Sequence, residues 1–226
     1  MPKTALVIGA TGLVGRCLVD KLIADERFEK VLAFVRRSTG KQNRKLEEHP
    51  IDFDRPEPWQ DRVKGDVLFS ALGTTLRKAG SKEAQYKIDY TYQYNTARAA
   101  AENGVPQYVL VSSAGASPRS RIFYSRMKGE LEEAVKHLPF QHISIIQPGM
   151  LAGKREEFRL GERIALPLLN VLHRVPGLGA YKPIDACLVA QAMINVCFKN
   201  EKRIRLFIFG LPTIPKQART RTNAYG

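Results

Sequence analysis

The sequence contains few cysteines and histidines, three and four respectively among 226 residues. Cys17, Cys187 and Cys197 lie far apart, and neither they nor the histidines have the close spacing of metal ligands. We therefore expect no metal site. We interpret the cysteines as reduced, mostly packed thiols of a cytoplasmic protein.

Long apolar segments are also missing. No apolar run reaches the ~18 residues that suggest a membrane-spanning helix, so no transmembrane segment is expected. The apolar stretch near the N-terminus is short and leads directly into a glycine-rich turn, which is unlike a signal peptide. The length suits one α/β domain with a sizeable core.

Acidic residues are outnumbered, with 22 Asp and Glu against 36 Lys and Arg, which gives a net charge of +14. The basic residues are scattered, apart from a concentration over 216–222, and no nucleic-acid-binding motif accompanies them. We expect a solvated basic surface, a positive cofactor cleft and a basic tail over 212–226, with no specific nucleic-acid partner.

Short aliphatic runs recur along the chain and predict strands buried on both faces, because they do not alternate with polar residues. These runs are 5–8, 31–35, 67–72, 108–111, 143–146 and 206–209. Helical patterns lie between them; Val14, Leu18 and Leu22, for example, recur every four residues. The alternation predicts an α/β fold with a doubly wound, mostly parallel sheet of the Rossmann type, as a single domain over 1–226.

The stretch 154–183 breaks this alternation, since Arg, Gly and Pro surround an apolar centre at 164–172. We predict a small C-terminal capping segment over the substrate. The apolar centre could instead belong to the ordinary core, form a dimer contact, line a hydrophobic pocket or touch a membrane.

The first predicted strand leads into VIGATGLVGR, where Gly9, Gly12 and Gly15 recur every three residues. The spacing differs by one residue from G-x-G-x-x-G, but the physical demands are the same: a tight turn, close approach of a pyrophosphate and close helix packing. Phosphates would meet the free N–H groups of the following helix. The alternative is a turn that serves packing alone. Cofactor contacts are expected from Gly9, Thr11, Gly12, Leu13, Val14 and Gly15.

Arg36 and Arg37 follow the second predicted strand, where an NAD site usually has an acidic residue. Guanidinium groups bind phosphate bidentately and so match a 2′-phosphate. We predict NADP(H) as the cofactor in preference to NAD(H), although one of the two arginines could simply face solvent.

Two later segments could contact the same cofactor. Asp52 could accept a hydrogen bond from the adenine amino group, and Phe53 could flank the ring. The ALGTT segment should pass the ribose and diphosphate, and Gly73 would permit close approach there. The contacts expected from this segment are Leu72, Gly73, Thr74 and Thr75.

Tyr124 and Lys128 lie four residues apart in a predicted helix and therefore share one face. That spacing also arises without chemistry, as a packed tyrosine and a solvated lysine. However, the preceding strand delivers Ser112 and Ser113 to the carboxyl edge of the sheet, where ligands bind in open α/β folds. The combination favours a catalytic pair.

With these features in this order, the chain resembles the short-chain dehydrogenase/reductase superfamily over nearly its whole length. GATGLVGR, LGTTLRKAGS, VSSAGA, FYSRMKGELE and QPGML are similar to atypical members related to the human Tat-interacting oxidoreductase, a group that includes bacterial nucleoside-diphosphate-sugar epimerase-like proteins. The resemblance implies an NADP(H)-dependent oxidoreductase that acts on a small carbonyl or alcohol, and it allows a homodimer.

The resemblance also implies roles for individual residues. Tyr124 would exchange a proton with the substrate oxygen as a general acid/base. Lys128 would hydrogen-bond the nicotinamide ribose and favour the phenolate of Tyr124, and Ser113 would bind the reacting oxygen. Pro148 and Gly149 would shape the nicotinamide pocket.

Several alternatives stay open at this point. Ser112 could replace Ser113, and the chain could be a non-catalytic NADP(H)-binding regulatory or scaffold protein. A nucleotide-sugar epimerase or dehydratase is less favoured, because the chain after Pro148 is short for a nucleotide-sugar site. Asn95 is left out of the catalytic set, and Asp185 is expected to cap a last helix near 185–198.

Overall fold

A parallel sheet organises the chain. The computed structural model describes residues 1–152, 183–199 and 204–209. The strands of these residues are β1 (Lys3–Ile8), β2 (Phe28–Val35), β3 (Leu46–Pro50), β4 (Val67–Ser70), β5 (Gln107–Val111), β6 (His142–Pro148), β7 (Leu151–Ala152), β8 (Ile184–Asp185) and β9 (Ile204–Phe209). Seven of them form one sheet in the order β3-β2-β1-β4-β5-β6-β9. Every adjacent pair runs parallel, and β7 and β8 form a separate parallel pair. The predicted doubly wound fold is confirmed.

Helices connect the strands. They are α1 (Leu13–Ala24), α2 (Leu76–Ala79), α3 (Lys82–Tyr86), α4 (Tyr92–Glu102), α5 (Phe123–Lys136) and α6 (Ala186–Val196). A 3-10 turn occupies Gln60–Arg62, and a π-helical turn over Lys87–Thr91 joins α3 to α4. π-helical turns are rare and often mark functional positions.

The sheet is covered on both faces by apolar side chains. Ala5 and Val7 of β1 belong to a core that includes α1 and α6, whereas Leu6 and Ile8 belong to a second core with α4 and α5. The strands inside the sheet must therefore be apolar on both sides, which explains why the sequence shows continuous runs instead of alternation; the edge strand β3 is polar and only partly buried.

The strand order reverses direction between β1 and β4. From β1 the chain builds outward to β2 and β3, and it then returns to place β4 on the opposite side of β1. In such sheets the connections diverge and leave a crevice at the carboxyl ends of the central strands. The residues after β1, β2, β4, β5 and β6 all emerge at this edge.

One expectation about the cysteines is wrong. Cys17 of α1 and Cys187 of α6 form a disulfide, although both were expected to be reduced. The two residues are 170 positions apart, and only the packing of α1 on α6 brings them together. Cys197 is free and buried, as predicted.

Reducing the Cys17–Cys187 disulfide should lower the free energy of unfolding. Opening a closed loop this long increases the entropy of the unfolded chain, so we expect a loss of about 2–4 kcal/mol. Urea denaturation with and without dithiothreitol measures the change. A Cys17→Ser variant should be insensitive to the reductant, and equal stability of the oxidised and reduced wild type would contradict the prediction.

Of the other expectations for the C-terminal part of the sequence, the helix cap at Asp185 is confirmed, whereas the capping segment and the basic tail are not described by the structure. Asp185 caps α6, because its Oδ1 accepts a hydrogen bond from the N–H of Cys187 at 2.6 Å. The capping segment predicted over 154–183 lies outside the described residues except for its last position, and the basic tail lies outside them entirely. No helix in the described part of the chain is long and apolar enough to cross a membrane.

Candidate functional site

The glycine turn after β1 has the geometry that its sequence predicts. Gly9 has a φ of +80°, and a Cβ there would lie 2.4 Å from backbone atoms of Ala71 and Leu72 at the end of β4. A Cβ at Gly15 would lie 2.0 Å from the carbonyl oxygen of Gly9. The turn therefore packs tightly between the first helix and two central strands.

The N-terminus of α1 is open to an anion. Gly12 occupies the N-cap position, where it makes no side-chain capping bond, and the first turn of the helix has no acidic residue. The first N–H groups of a helix have no acceptor within it, and the helix dipole favours negative charge there. This end of α1 fits the pyrophosphate of a dinucleotide.

Arg36 and Arg37 are exposed directly after β2. Because β2 pairs with β1 through Phe34 and Ile8, both arginines emerge at the same edge as the glycine turn. This placement suits contact with the adenosine end of a dinucleotide whose pyrophosphate lies on α1.

Phe53, in the segment after β3, was expected to flank the adenine ring, but its side chain is buried. Its side chain is only 4% exposed, stacks on Tyr92 with ring centroids 5.2 Å apart and meets Trp59 edge-on. The ring belongs to the core and has little surface to flank an adenine. Asp52 is exposed, and its Oδ1 accepts a hydrogen bond from the N–H of Asp54.

The segment after β4 is held in place by hydrogen bonds. Gly73 is exposed, and Leu72 is partly buried against the core. The hydroxyl of Thr75 accepts from the N–H of Lys78 and caps α2, so it is engaged within the chain. The N–H of Thr74 donates to Asp89 Oδ2 at 2.8 Å.

Asp89 is a site residue that the sequence analysis missed. It is buried in the π-helical turn, and its Oδ1 would lie 3.2 Å from a Cβ at Gly73. Burial raises the pKa of its carboxyl, which the charge of Lys128 and the N–H of Thr74 partly offset. Asn95 was the residue weighed in this part of the sequence; the available signal was that Asp89 is the single acidic residue between Glu83 and Glu102.

Lys128 is not a solvated lysine. It is 2% exposed, and its Nζ donates to the carbonyl oxygen of Val111 at the end of β5, at 3.3 Å. Tyr124, one turn earlier on α5, is 39% exposed. The helix thus carries a buried ammonium group and an accessible phenol near the carboxyl edge of the sheet.

The ends of β5 and β6 are joined by backbone hydrogen bonds. The N–H of Ser112 donates to Ile146 at 2.7 Å, and the N–H of Ala114 donates to Pro148 at 2.8 Å. Ser113 lies between these two contacts and is only partly buried. Consequently, Ser112, Ser113, Pro148 and Gly149 belong to one side of the crevice.

The glycine turn, the arginines, the serines and the Tyr–Lys pair all lie at one edge, as the sequence suggested. This edge therefore carries an uncapped helix N-terminus, an exposed phenol and a buried lysine. Among the described ranges, no three His, Cys, Asp or Glu side chains cluster as metal ligands would.

Solved structures share this fold at low sequence identity. MoeE5 in complex with UDP-glucose and NAD has a TM-score of 0.71 and 16% identity, over 92% of this chain and 76% of that one. The UDP-Glc/GlcNAc 4-epimerase of Campylobacter jejuni has a TM-score of 0.71 and 15% identity, over 92% of this chain and 78% of that one. These likenesses support the fold alone.

Fungal relatives are similar over almost the whole chain. Protein FMP52, mitochondrial, of Candida albicans is 35% identical over 224 residues, which cover 95% of this chain and 98% of the relative. Its namesake in Eremothecium gossypii is 37% identical over 204 residues, covering 88% and 90%. The predicted cytoplasmic location is therefore wrong, because the relatives point to the mitochondrion.

A family model described as NAD(P)H-binding matches residues 9–162. The match begins at the glycine turn and extends through Ser113, Tyr124 and Lys128 to beyond the end of β6. This agrees with the dinucleotide site built from the residues at the carboxyl edge. The chain belongs to the NAD(P)H-binding family, and the mitochondrial FMP52 proteins are its relatives.

Proposed function

We propose that the protein is an NADP(H)-dependent oxidoreductase that transfers hydride to or from a small carbonyl or alcohol. The observation that carries this proposal is the pairing on α5 of a buried Lys128 with an exposed Tyr124, at the sheet edge where α1 presents its N-terminus. An anion site alone would support cofactor binding only; the added phenol supports proton exchange.

The residues present fit the cofactor. Gly9 and Gly15 bring α1 close to the sheet, and the uncapped helix end would hold the pyrophosphate through its N–H groups. Exposed guanidinium groups at Arg36 and Arg37 would hold the 2′-phosphate. When bound, NADP(H) supplies or accepts the hydride.

The chain's own residues would manage the proton. Tyr124 would donate it to, or accept it from, the substrate oxygen, which Ser113 would orient by a hydrogen bond. The buried ammonium of Lys128, one turn along α5, would hydrogen-bond the nicotinamide ribose. Asp89 would balance that ammonium and hold the Gly73–Thr74 backbone in place.

Replacing Arg36 and Arg37 together by alanine should weaken NADPH binding and leave NADH binding unchanged. The variant loses bidentate, charge-assisted hydrogen bonds to the 2′-phosphate, so we expect NADPH affinity to fall about 10- to 100-fold. Titration of cofactor fluorescence measures both dissociation constants.

A double Arg62→Ala/Arg98→Ala variant provides the control for general charge loss, because both side chains are exposed and neither lies directly after β2. It should bind NADPH as the wild type does at the same ionic strength. Equal wild-type affinity for NADPH and NADH would refute the proposed cofactor preference.

A further inference from the structure

A buried carboxyl group lies beneath the proposed site and has no role in the reaction described above. Glu132 is on α5, one turn beyond Lys128, and is 5% exposed. Its two oxygens accept hydrogen bonds from Nε2 of Gln147, at 2.9 and 3.0 Å. Both oxygens thus act as acceptors, which is the arrangement that suits the ionised carboxylate.

Gln147 connects this carboxylate to the wall of the crevice. It is buried in β6 and directly precedes Pro148 and Gly149, the residues expected to shape the nicotinamide pocket. Glu132 therefore links the helix that bears Tyr124 and Lys128 to the strand end on the other side of the site.

The charged and polar neighbours of Glu132 come from three elements. Lys128 and Lys136 are on its own helix, whereas the neutral side chains come from Ser112, directly after β5, and from Gln147 of β6. Burial raises the pKa of the Glu132 carboxyl, and these four neighbours offset the rise only in part. Above its folded-state pKa, the ionised form of Glu132 therefore costs folding free energy relative to the protonated form.

We infer that Glu132 is a positioning residue for the cofactor site. Its carboxylate fixes Gln147, and hence the Pro148–Gly149 wall, at the distance from Lys128 that the nicotinamide end of NADP(H) requires. The inference rests on the proposed function, since it assigns the nicotinamide to this crevice. Proteins often retain a destabilising group where it serves a site, and this accounts for a buried acid here.

The test compares Glu132→Gln with Glu133→Gln. Glu133 is the next residue on the same helix, but it is exposed and pairs with Lys136, so its variant loses the same charge without changing the crevice. In NADPH titrations at pH 8, Glu132→Gln should bind about 5- to 10-fold more weakly than wild type, because a charge-assisted hydrogen-bond pair is lost. Glu133→Gln should bind like wild type.

Thermal denaturation separates positioning from simple structural support. Because the folded-state pKa of Glu132 is raised, ionising this group opposes folding above that pKa, and the penalty disappears below the unfolded-state value. Glu132→Gln should therefore melt at the same temperature as Glu133→Gln or higher at pH 7, with the difference shrinking toward pH 4. If Glu132→Gln binds NADPH more weakly than Glu133→Gln but is no less stable, the result supports a positioning role for Glu132.

Three outcomes would count against specific claims. NADPH affinity equal in the two variants would overturn the inference while leaving the proposed function intact. A Glu132→Gln protein that melts well below the control would also overturn it, since that result indicates mere structural support. Absence of cofactor binding by the wild type would instead refute the proposed function. Glu132→Met, with a side chain of similar size and no charge, provides a second variant that is judged by the same two criteria.

Discussion

Replacing Gly9 by alanine should abolish cofactor binding and destabilise the protein by about 3 kcal/mol or more. Two effects add. The φ of +80° is unfavourable for any residue with a Cβ, and the new methyl group would lie 2.4 Å from backbone atoms of Ala71 and Leu72. These atoms belong to the backbone, so no side-chain rotation can relieve the overlap. The glycine turn and the segment after β4 would have to move apart.

Gly104→Ala is a matched control for this variant. Gly104 has the same φ of +80°, but a Cβ there would have no atom within 4 Å, and the residue follows α4 at the opposite edge of the sheet from the site. The Gly104→Ala variant should lose only ~1–2 kcal/mol of unfolding free energy, the cost of a left-handed conformation for alanine, and it should bind NADPH normally. Chemical denaturation and cofactor titration of both variants measure the difference; normal NADPH binding by Gly9→Ala would contradict the account of the turn.

Tyr124→Phe should lower turnover by roughly 10²- to 10⁴-fold, the usual contribution of a general acid/base, without changing cofactor affinity. The phenol is accessible and lies one turn from a buried ammonium group, so removal of its oxygen eliminates proton exchange and leaves the helix packing in place. The assay follows NADPH absorbance with a panel of aldehydes, ketones and alcohols.

Tyr94→Phe is the control, because Tyr94 is a partly buried tyrosine of α4 that stacks on Tyr90. It should retain full turnover. Undiminished turnover by Tyr124→Phe would remove this residue from the mechanism. Saturable NADPH binding by a wild type that turns over no substrate in the panel would favour the non-catalytic cofactor-binding alternative.

The fold was predictable from the sequence because its determinants are local. Strands covered on both sides must be apolar throughout, and the runs at 5–8 and 108–111 show this directly. The glycines at 9 and 15 were informative for a similar reason, since each lies where the backbone leaves no room for a Cβ. Gly15 is constrained by Gly9 of the same turn, whereas Gly9 is constrained by Ala71 and Leu72 in a distant segment; the glycine spacing indicated the turn without revealing that contact.

What the sequence did not show depends on contacts between distant segments. Asp89 and Glu132 look like ordinary helix acids, and only packing reveals that both are buried beside Lys128. Phe53 follows a strand as a cofactor residue might, yet Trp59 and Tyr92 enclose its ring.

Two errors came from reasoning about absences. Spacing gave no reason to pair the cysteines of α1 and α6, because the pairing follows from helix packing. The cytoplasmic location was inferred from the same cysteines, taken as reduced because they are few and widely spaced, and the relatives contradict it. In both cases the wide spacing of the cysteines was taken as evidence, although it determines neither their pairing in the fold nor the location of the protein.

A structure of the protein bound to NADPH tests the central claim most directly. We expect the pyrophosphate at the first turn of α1, the 2′-phosphate at Arg36 or Arg37, and the nicotinamide ring between Pro148 and the Tyr124 hydroxyl, with Lys128 Nζ on the ribose. A nicotinamide ring that lies away from both Tyr124 and Lys128, or a cofactor bound elsewhere on the chain, would contradict the account.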